Sequence, residues 1–240
     1  MTADAGNIDA GNTDAGNTDA GNHAVRARAA DAVAYHGGRL IAYRDDGWPA
    51  RLLGRVLGRA ARGWPPLAPA LVAAASTVVL IVAGTGERAD LMLFAPVVAL
   101  LLAGPAAGHP HGGRLDWLVP PVIRVTEYGY LAALGFARDV PDPMIYVLIA
   151  VLAYHHYDIV YRTRQKLWPR DWVFRAGLGW DGRMLVAAAS AFAGIATFAY
   201  AALAAYLGVL FGVESVLAWA RTERGEGVMV NLEEEEEAGS

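Results

Sequence analysis

Two apolar stretches of this sequence each contain a group of charged or imidazole side chains. In the first stretch, Asp116 precedes Arg124 by eight residues, and Glu127 follows Arg124 by three. On a helix this spacing puts Arg124 and Glu127 on one face, where they can pair, with Asp116 approximately on the same face. Ionisable groups inside apolar segments are costly, and they usually line a cavity or pair with one another. Their positions are therefore the best functional signal in the chain.

The second group lies in the run Tyr154-His-His-Tyr-Asp-Ile-Val-Tyr-Arg162. His155, Asp158 and Arg162 are spaced i, i+3 and i+7, which places them on one face of a helix. The tyrosines of the run form an adjacent face. We therefore expect the two stretches to be helices that bring their polar faces to one cavity.

The side chains in these two groups predict three roles in one site. Carboxylates can hold a divalent cation, guanidinium groups can bind phosphate, and an imidazole can transfer a proton. The predicted catalytic residues are Asp116, Glu127, His155, His156 and Asp158. The predicted phosphate ligands are Arg124, Arg162, Tyr128 and Tyr161, and the predicted metal ligands are Asp116, Glu127 and Asp158.

Two other interpretations of the same residues stay open. Arg124 and Glu127 can form a neutralised buried pair with no further role, and the run rich in Tyr and His can form an interfacial belt. The groups can also line a path for protons or a solute. His109 and His111, in Gly-His-Pro-His-Gly-Gly, favour a flexible loop over a metal site.

The composition limits the chemistry that the chain can perform. The absence of cysteine excludes thiolate nucleophiles, zinc–thiolate sites and iron–sulfur clusters. We expect Mg²⁺ or Mn²⁺ as the cofactor, and no haem, iron–sulfur cluster or flavin. Hydrophobic residues make up 55% of the chain and charged residues 18%, which excludes a mainly disordered protein.

Apolar runs long enough to cross a bilayer, which takes ~20 residues, fill most of the chain beyond residue 66. The predicted crossings come from residues 67–84, 91–108, 115–136, 144–157 and 184–220. The last of these runs has a single charge, Glu214, and is too long for one ordinary crossing. We expect it to break near Gly208 or earlier, giving six crossings in total, or five if it is one helix.

The segment from Trp48 to Arg62 predicts a basic amphipathic helix that lies on an anionic membrane surface. Its arginines recur at helical spacing, while its leucines and valine occupy another face. Basic residues are also concentrated in residues 162–183. By the positive-inside rule, both segments face the cytoplasm. We therefore expect a multi-pass protein of the cell (inner) membrane with a cytoplasmic N-terminus.

The predicted organisation has four parts, and the predicted fold class is all-α. Residues 1–22 form a disordered tail of Asp-Ala-Gly-Asn repeats, for which a calcium-binding repeat is the alternative. A basic juxtamembrane segment (23–66) carries the surface helix, a polytopic membrane helix bundle follows (67–220), and an acidic tail (221–240) ends the chain. Residues 1–22 and the glutamate run 233–237 hold nine of the 24 acidic residues, so the body between them is basic despite the formal net charge of −4.

A surface helix followed by six crossings resembles the membrane CDP-alcohol phosphotransferases, which make phospholipids by transferring a phospho-group from a CDP-linked donor. Gly112-x-x-x-Asp116 fits the later part of their motif, Asp-x-x-Asp-Gly-x-x-Ala-Arg-x(7–8)-Gly-x-x-x-Asp-x-x-x-Asp. The resemblance implies that Asp116 is a metal ligand. Pro120 stands where the motif has its catalytic base, and three of the four motif acids are missing. Arg124-x-x-Glu127-Tyr128 is similar to a segment of bacterial members.

Four segments carry a second resemblance, to an uncharacterised actinobacterial integral-membrane domain family, over roughly residues 40–220. They are Asp116-Trp-Leu-Val-Pro-Pro, Arg124-x-x-Glu-Tyr, His155-His-Tyr-Asp-x-Val-Tyr-Arg162 and Gly179-Trp-Asp-Gly-Arg183. That domain is often joined to nucleotidyltransferase and CDP-alcohol phosphotransferase domains. This resemblance implies a lipid-phosphate context, such as phospholipid biosynthesis.

We therefore expect a membrane protein of lipid or phosphate metabolism. It would bind a phosphate-containing lipid or a nucleotide-linked substrate in a polar cavity in the cytoplasmic half of the bilayer, and phospho-group transfer is the reaction to test. One alternative is a catalytically inactive relative that is a scaffold or partner of an active CDP-alcohol phosphotransferase, and another is a small transporter. The expected partners are the lipid bilayer, the lipid or CDP-linked substrate, and a second copy of the chain or a phosphotransferase, with no nucleic acid.

Overall fold

The structure is a computed structural model that describes residues 40, 42–59, 65–85, 89–108, 113–165, 167 and 170–238, with side chains up to residue 220. No β-strand occurs in these ranges, so the predicted all-α class is confirmed for them. The repeat tail predicted for residues 1–22 lies outside the described residues. So do residues 23–39 of the predicted basic segment.

Eight α-helices follow one another in the described chain, with three short 3₁₀ segments between them. They are α1 (Trp48–Leu57), α2 (Leu67–Ala83), α3 (Ala95–Ala103), α4 (Val119–Ala137), α5 (Asp142–Arg164), α6 (Asp171–Ala176), α7 (Gly179–Phe192) and α8 (Ala196–Ala238). The 3₁₀ segments are Ala89–Phe94 and Gly104–Gly108, on either side of α3, and Asp116–Leu118, before α4.

In the part of the chain that the structure describes, three helical stretches are both long and apolar enough to cross a membrane. They are Asp90–Ala107, Asp142–Arg164 and Ala196–Ala220, and Leu67–Ala83 is a shorter apolar helix. The helices α4 and α7 overlap predicted crossings, but α4 carries charges and α7 has only 14 residues. Six crossings would require α2, α4 and α7 to span the membrane in addition to these three stretches.

The long apolar run 184–220 is broken between α7 and α8, well before Gly208. Gly194 has a φ of +74°, a left-handed conformation that favours glycine. The N–H of Ile195 donates to the carbonyl of Ser190, which closes α7 with the hydrogen bond typical of a glycine-terminated helix. Glycine is common in this position at the end of a helix. Gly194 therefore ends α7, although the run contains no Pro or Asn that would predict a break.

The helices form one bundle around a core of small and aliphatic side chains. α2 packs on α3 and α4, α4 packs on α7, and α5 packs on α8. The buried core includes Tyr130, Leu134, Ile145 and Tyr200. The hydroxyl of Tyr200 donates to the carbonyl of Leu131 at 2.6 Å, so that α8 is tied to α4 by a polar contact as well as by packing.

The helix α1 is present where the amphipathic helix is predicted, but it is shorter than the predicted segment. Ala50 and Gly54 are its buried residues, and it packs on the Gly104–Gly108 segment. Trp48, Leu52 and Val56, which are spaced by four residues, are all exposed. An exposed apolar stripe of this kind is compatible with a helix that lies on a membrane surface.

Candidate functional site

A buried network of two acids and two arginines lies where the segment before α1 meets α4, α5 and α7. Arg183 donates from Nη2 to Oδ2 of Asp45 at 2.8 Å and from Nε to Oε1 of Glu127 at 2.6 Å. Arg124 donates from Nη1 to Oε2 of Glu127 at 2.8 Å. His156 adds a contact of 3.2 Å from Nε2 to Oδ2 of Asp45. When the imidazole of His156 is neutral, the charges of the two carboxylates and the two guanidinium groups cancel.

Asp45 is held in this network by a tight turn of the backbone. Its φ of +48° is left-handed, which aspartate tolerates better than most residues because its short side chain can hydrogen-bond locally. The next residue, Asp46, accepts hydrogen bonds from Arg44 Nε at 2.8 Å and from Trp180 Nε1 at 2.9 Å. The segment is thereby fixed to the start of α7 and presents Asp45 to the network.

Asp181 fixes the same segment from the other direction. Its Oδ1 accepts from the N–H of Gly47 at 2.6 Å, and its Oδ2 accepts from the N–H of Ala50 at 2.9 Å. These N–H groups belong to the N-cap and first turn of α1, where intrahelical acceptors are missing. Asp181 therefore caps a helix that is far from it in sequence.

The charges around Asp45 decide its ionisation. Burial alone would raise the pKa of this carboxyl, because burial penalises the charged form. The guanidinium of Arg183, the hydrogen bond from His156 and the guanidinium of Arg124 outweigh burial and hold the pKa well below its usual range. Asp45 is therefore a carboxylate at neutral pH.

Arg124 and His156 also line a pocket of about 220 Å³ beside the network. Arg124 donates from Nη2 to the carbonyls of Tyr43 and Arg44, at 2.8 and 2.6 Å, and Tyr128 bonds through its hydroxyl to Nδ1 of His156. The pocket is lined by Tyr43, Trp117, Pro120, Pro121, Arg124, His156, Ile159 and Val160. The pocket therefore has the nitrogen-bearing side chains of Arg124 and His156 on one side and mainly apolar side chains on the rest of its lining.

The predicted residues of the α5 run divide between two places. Arg162 binds Glu214 of α8 through two hydrogen bonds of 2.7 and 2.6 Å, and its Nε lies 2.9 Å from Oδ2 of Asp158. Ser215 and Trp219 donate to the other oxygen of Asp158. This group joins α5 to α8 and shares no bond with the network around Asp45.

Asp116 and Tyr161 have local partners of their own. Oδ2 of Asp116 accepts from the N–H of Gly113 at 2.7 Å and so closes the turn before α4. Tyr161 is exposed and stacks on Tyr157, with Trp219 also within ring contact. Neither residue contacts the network.

The three carboxylates expected to share one metal ion are not brought together. Glu127 is bound by two arginines, whereas Asp116 and Asp158 lie in the separate groups above. Among the described residues, one group of three acidic or histidine side chains has ligand atoms that all lie within 4.8 Å of one another. The group is Asp45, His155 and His156. Mg²⁺ prefers a shell of oxygen ligands. Two imidazoles and one carboxylate do not match this preference, so the cluster is a poor site for Mg²⁺.

The sequence predicts some residues of the network and not others. Arg124 and Glu127 are predicted from their helical spacing, Tyr128 from the segment Arg124-x-x-Glu127-Tyr128, and His156 as an imidazole that can transfer a proton. The structure brings these four residues together. Asp45 and Arg183 are not predicted, because they lie in segments whose pattern indicates a basic juxtamembrane stretch and a basic loop. Charge balance gives no signal for either residue, because Arg124 and Glu127 already form a neutral pair. Glu214, in the separate Arg162 group, shows in the sequence only as a single charge in an apolar run.

Comparison with known proteins gives a family but no function. A family described as a family of unknown function, DUF5941, matches residues 31–236. No curated protein and no solved structure matches the chain.

Proposed function

The match covers most of the chain, so the protein belongs to the DUF5941 family, and we propose that this member is an integral membrane protein that binds the phosphate head group of a lipid. The head group enters the pocket beside Arg124 and His156, in the cytoplasmic half of a bundle of six crossings. The observation that carries the proposal is the meeting of these two side chains with an apolar wall in one pocket.

The pocket has two chemically different parts, and they suit the two parts of a phospholipid. Arg124 can bind an anionic head group. His156 lines the pocket beside it, with its ring nitrogens bonded to Tyr128 and Asp45. Trp117, Pro121 and Val160 offer apolar surface. Trp117 is itself exposed, as an acyl chain entering from the bilayer requires. A pocket of about 220 Å³ holds a head group and leaves the acyl chains along the outside of the bundle.

Arg124 is held in position before any ligand arrives. Its two terminal nitrogens are bonded to Glu127 and to two backbone carbonyls, while its Nε has no hydrogen-bond partner among the described residues. The side chain keeps 11% of its surface exposed. Charged N–H donors form strong hydrogen bonds with phosphate oxygens, and a side chain that is already fixed loses little entropy on binding.

A second candidate is a catalytically inactive relative that binds lipid phosphate as a scaffold or partner of an active CDP-alcohol phosphotransferase. It is favoured by one observation: the carboxylates expected to hold a metal ion are already bonded to protein groups. Turnover distinguishes this candidate from a transferase that acts on the bound lipid. If purified protein with CDP-diacylglycerol, an acceptor alcohol and Mg²⁺ or Mn²⁺ releases CMP, and Asp116→Asn does not, the protein is a transferase. Without CMP release, the partner candidate stands.

Binding at the pocket is tested by fluorescence quenching with brominated lipids. Phosphatidic acid brominated on its acyl chains is compared with brominated phosphatidylcholine, and the contribution of Trp117 is taken from Trp117→Phe. We expect stronger quenching of Trp117 by phosphatidic acid. Val160→Phe, which fills the pocket, should abolish that preference, and Ala150→Phe, at an exposed position of the same helix, should keep it. Equal quenching by both lipids, or a preference that survives Val160→Phe, would overturn the proposal.

A further inference from the structure

Two buried atoms of the network have no hydrogen-bond partner among the described residues. They are Oδ1 of Asp45 and Nε2 of His155, in residues that are 1% and 2% exposed. Unpaired polar atoms in such buried positions are rare in native proteins, and each one calls for a ligand, a water molecule or an ion. Asp45 and His155 lie in one cluster with His156.

The two imidazoles of this cluster are oriented by neighbours outside it. Nδ1 of His156 is bonded to the hydroxyl of Tyr128. The ring of His155 stacks on Phe211, with centroids 3.5 Å apart and an angle of 10° between the planes. Metal-bound histidines usually have their second ring nitrogen bonded to a neighbouring group, as His156 has through Tyr128. Neither support needs the metal ion to be present.

We propose that Asp45, His155 and His156 form a binding site for a transition-metal ion of the Zn²⁺ or Co²⁺ type. Their ligand atoms lie within 4.8 Å of one another, so small side-chain shifts bring them to coordination distance. Two imidazoles and one carboxylate are a known ligand set of Zn²⁺ and of other late first-row metals. Three protein ligands leave one position open on a tetrahedral ion.

The charge of the surroundings determines what fills the open position. The network is neutral without a metal ion, since Arg124 and Arg183 balance Asp45 and Glu127. A divalent ion adds two positive charges in a buried place, which is costly unless an anion accompanies it. Hydroxide or chloride can enter along the pocket that His156 lines, and His156 keeps 12% of its surface exposed there. The site therefore takes the metal ion together with an anionic ligand.

The test is a titration of the full-length protein in detergent with Co²⁺, using a purification tag without histidine. We expect one Co²⁺ per chain, with the visible absorption of a tetrahedral complex in a chloride buffer. His155→Phe keeps the ring stacked on Phe211 and removes the ligand nitrogen, so it should weaken binding at least ~10-fold. Added Zn²⁺ should raise the unfolding temperature of the wild type and leave that of His155→Phe unchanged.

The matched control replaces two histidines elsewhere in the sequence. His109→Ala/His111→Ala removes the other closely spaced pair of histidines and should bind Co²⁺ like the wild type. Failure of the wild type to bind Co²⁺, full binding by His155→Phe, or loss of binding in the His109→Ala/His111→Ala variant would overturn the proposal. Quenching by brominated phosphatidic acid, measured on the same samples, reports separately on the proposed lipid site.

Discussion

At the scale of single residues, Glu127 determines the charge balance of the network. Both of its oxygens are bonded to arginines, and the residue is completely buried. The pairing of Arg124 with Glu127 could be predicted, because residues three apart meet on any helix. The pairing of Glu127 with Arg183 could not, because 56 residues separate them and only the packing of α4 on α7 brings them together.

Replacing Glu127 tests the balance directly. Glu127→Gln leaves Arg124 and Arg183 with Asp45 as their one acidic partner in the network. Removing one member of a buried ion pair costs about 3–5 kcal/mol, because an uncompensated charge stays buried. We expect a loss of this order in the free energy of unfolding in detergent. Asp90→Asn, which alters an exposed ion pair with Arg138, is the control and should change little. Equal effects of the two substitutions would contradict the account.

At the scale of elements, the site depends on the contact between the segment before α1 and the start of α7. Gly47 and Gly179 meet there so closely that a Cβ on either would overlap the backbone of the other segment. The sequence predicts both helices, and it contains the Gly179-Trp-Asp-Gly-Arg183 segment that makes the contact. The contact itself could not be predicted, because helical periodicity carries no information about which helix ends meet.

A comparison of two glycines with similar φ angles distinguishes the effect of this contact from the effect of backbone strain. Gly179 and Gly194 have φ of +68° and +74°, but a Cβ at Gly194 meets nothing within 4 Å. Gly194→Ala should cost only the strain of a left-handed alanine, about 1–2 kcal/mol. Gly179→Ala should cost clearly more, and it should also reduce binding of phosphatidic acid because Tyr43 and Arg44 would shift away from Arg124. Thermal unfolding and lipid quenching measure both effects. If Gly194→Ala is as damaging as Gly179→Ala, the contact is not what matters.

At the scale of the whole molecule, the charge distribution and the helix order predict one orientation in the membrane. Three helical stretches are long and apolar enough to cross it, and the proposal adds α2, α4 and α7. The apolar runs can be recognised from the sequence alone, because the hydropathy of a segment depends only on its own residues. The break at Gly194 and the charged helix α4 are harder to assign, because glycine is common in membrane helices and buried pairs hide the cost of charges.

The absence of cysteine allows a clean test of this topology. Single cysteines at Thr85, Ala193 and Gln165 lie in the turns after α2, α7 and α5. With six crossings and a cytoplasmic N-terminus, a maleimide that cannot cross the membrane should label positions 85 and 193 in intact cells. Position 165 should be labelled only after permeabilisation. Labelling of position 165 in intact cells, or protection of position 193, would contradict the proposed orientation.

The central claim is that a lipid phosphate binds beside Arg124 and His156, and photo-cross-linking tests it most directly. The protein is illuminated in nanodiscs that contain phosphatidic acid with a diazirine near the head group, and the adducts are mapped by mass spectrometry. Phosphatidylcholine with the same diazirine is the reference lipid. The account predicts that adducts of phosphatidic acid concentrate on the pocket residues Trp117, Pro121 and Val160. Adducts spread equally for both lipids, or concentrated on the groove of Val147 and Ala205 between α5 and α8, would contradict it.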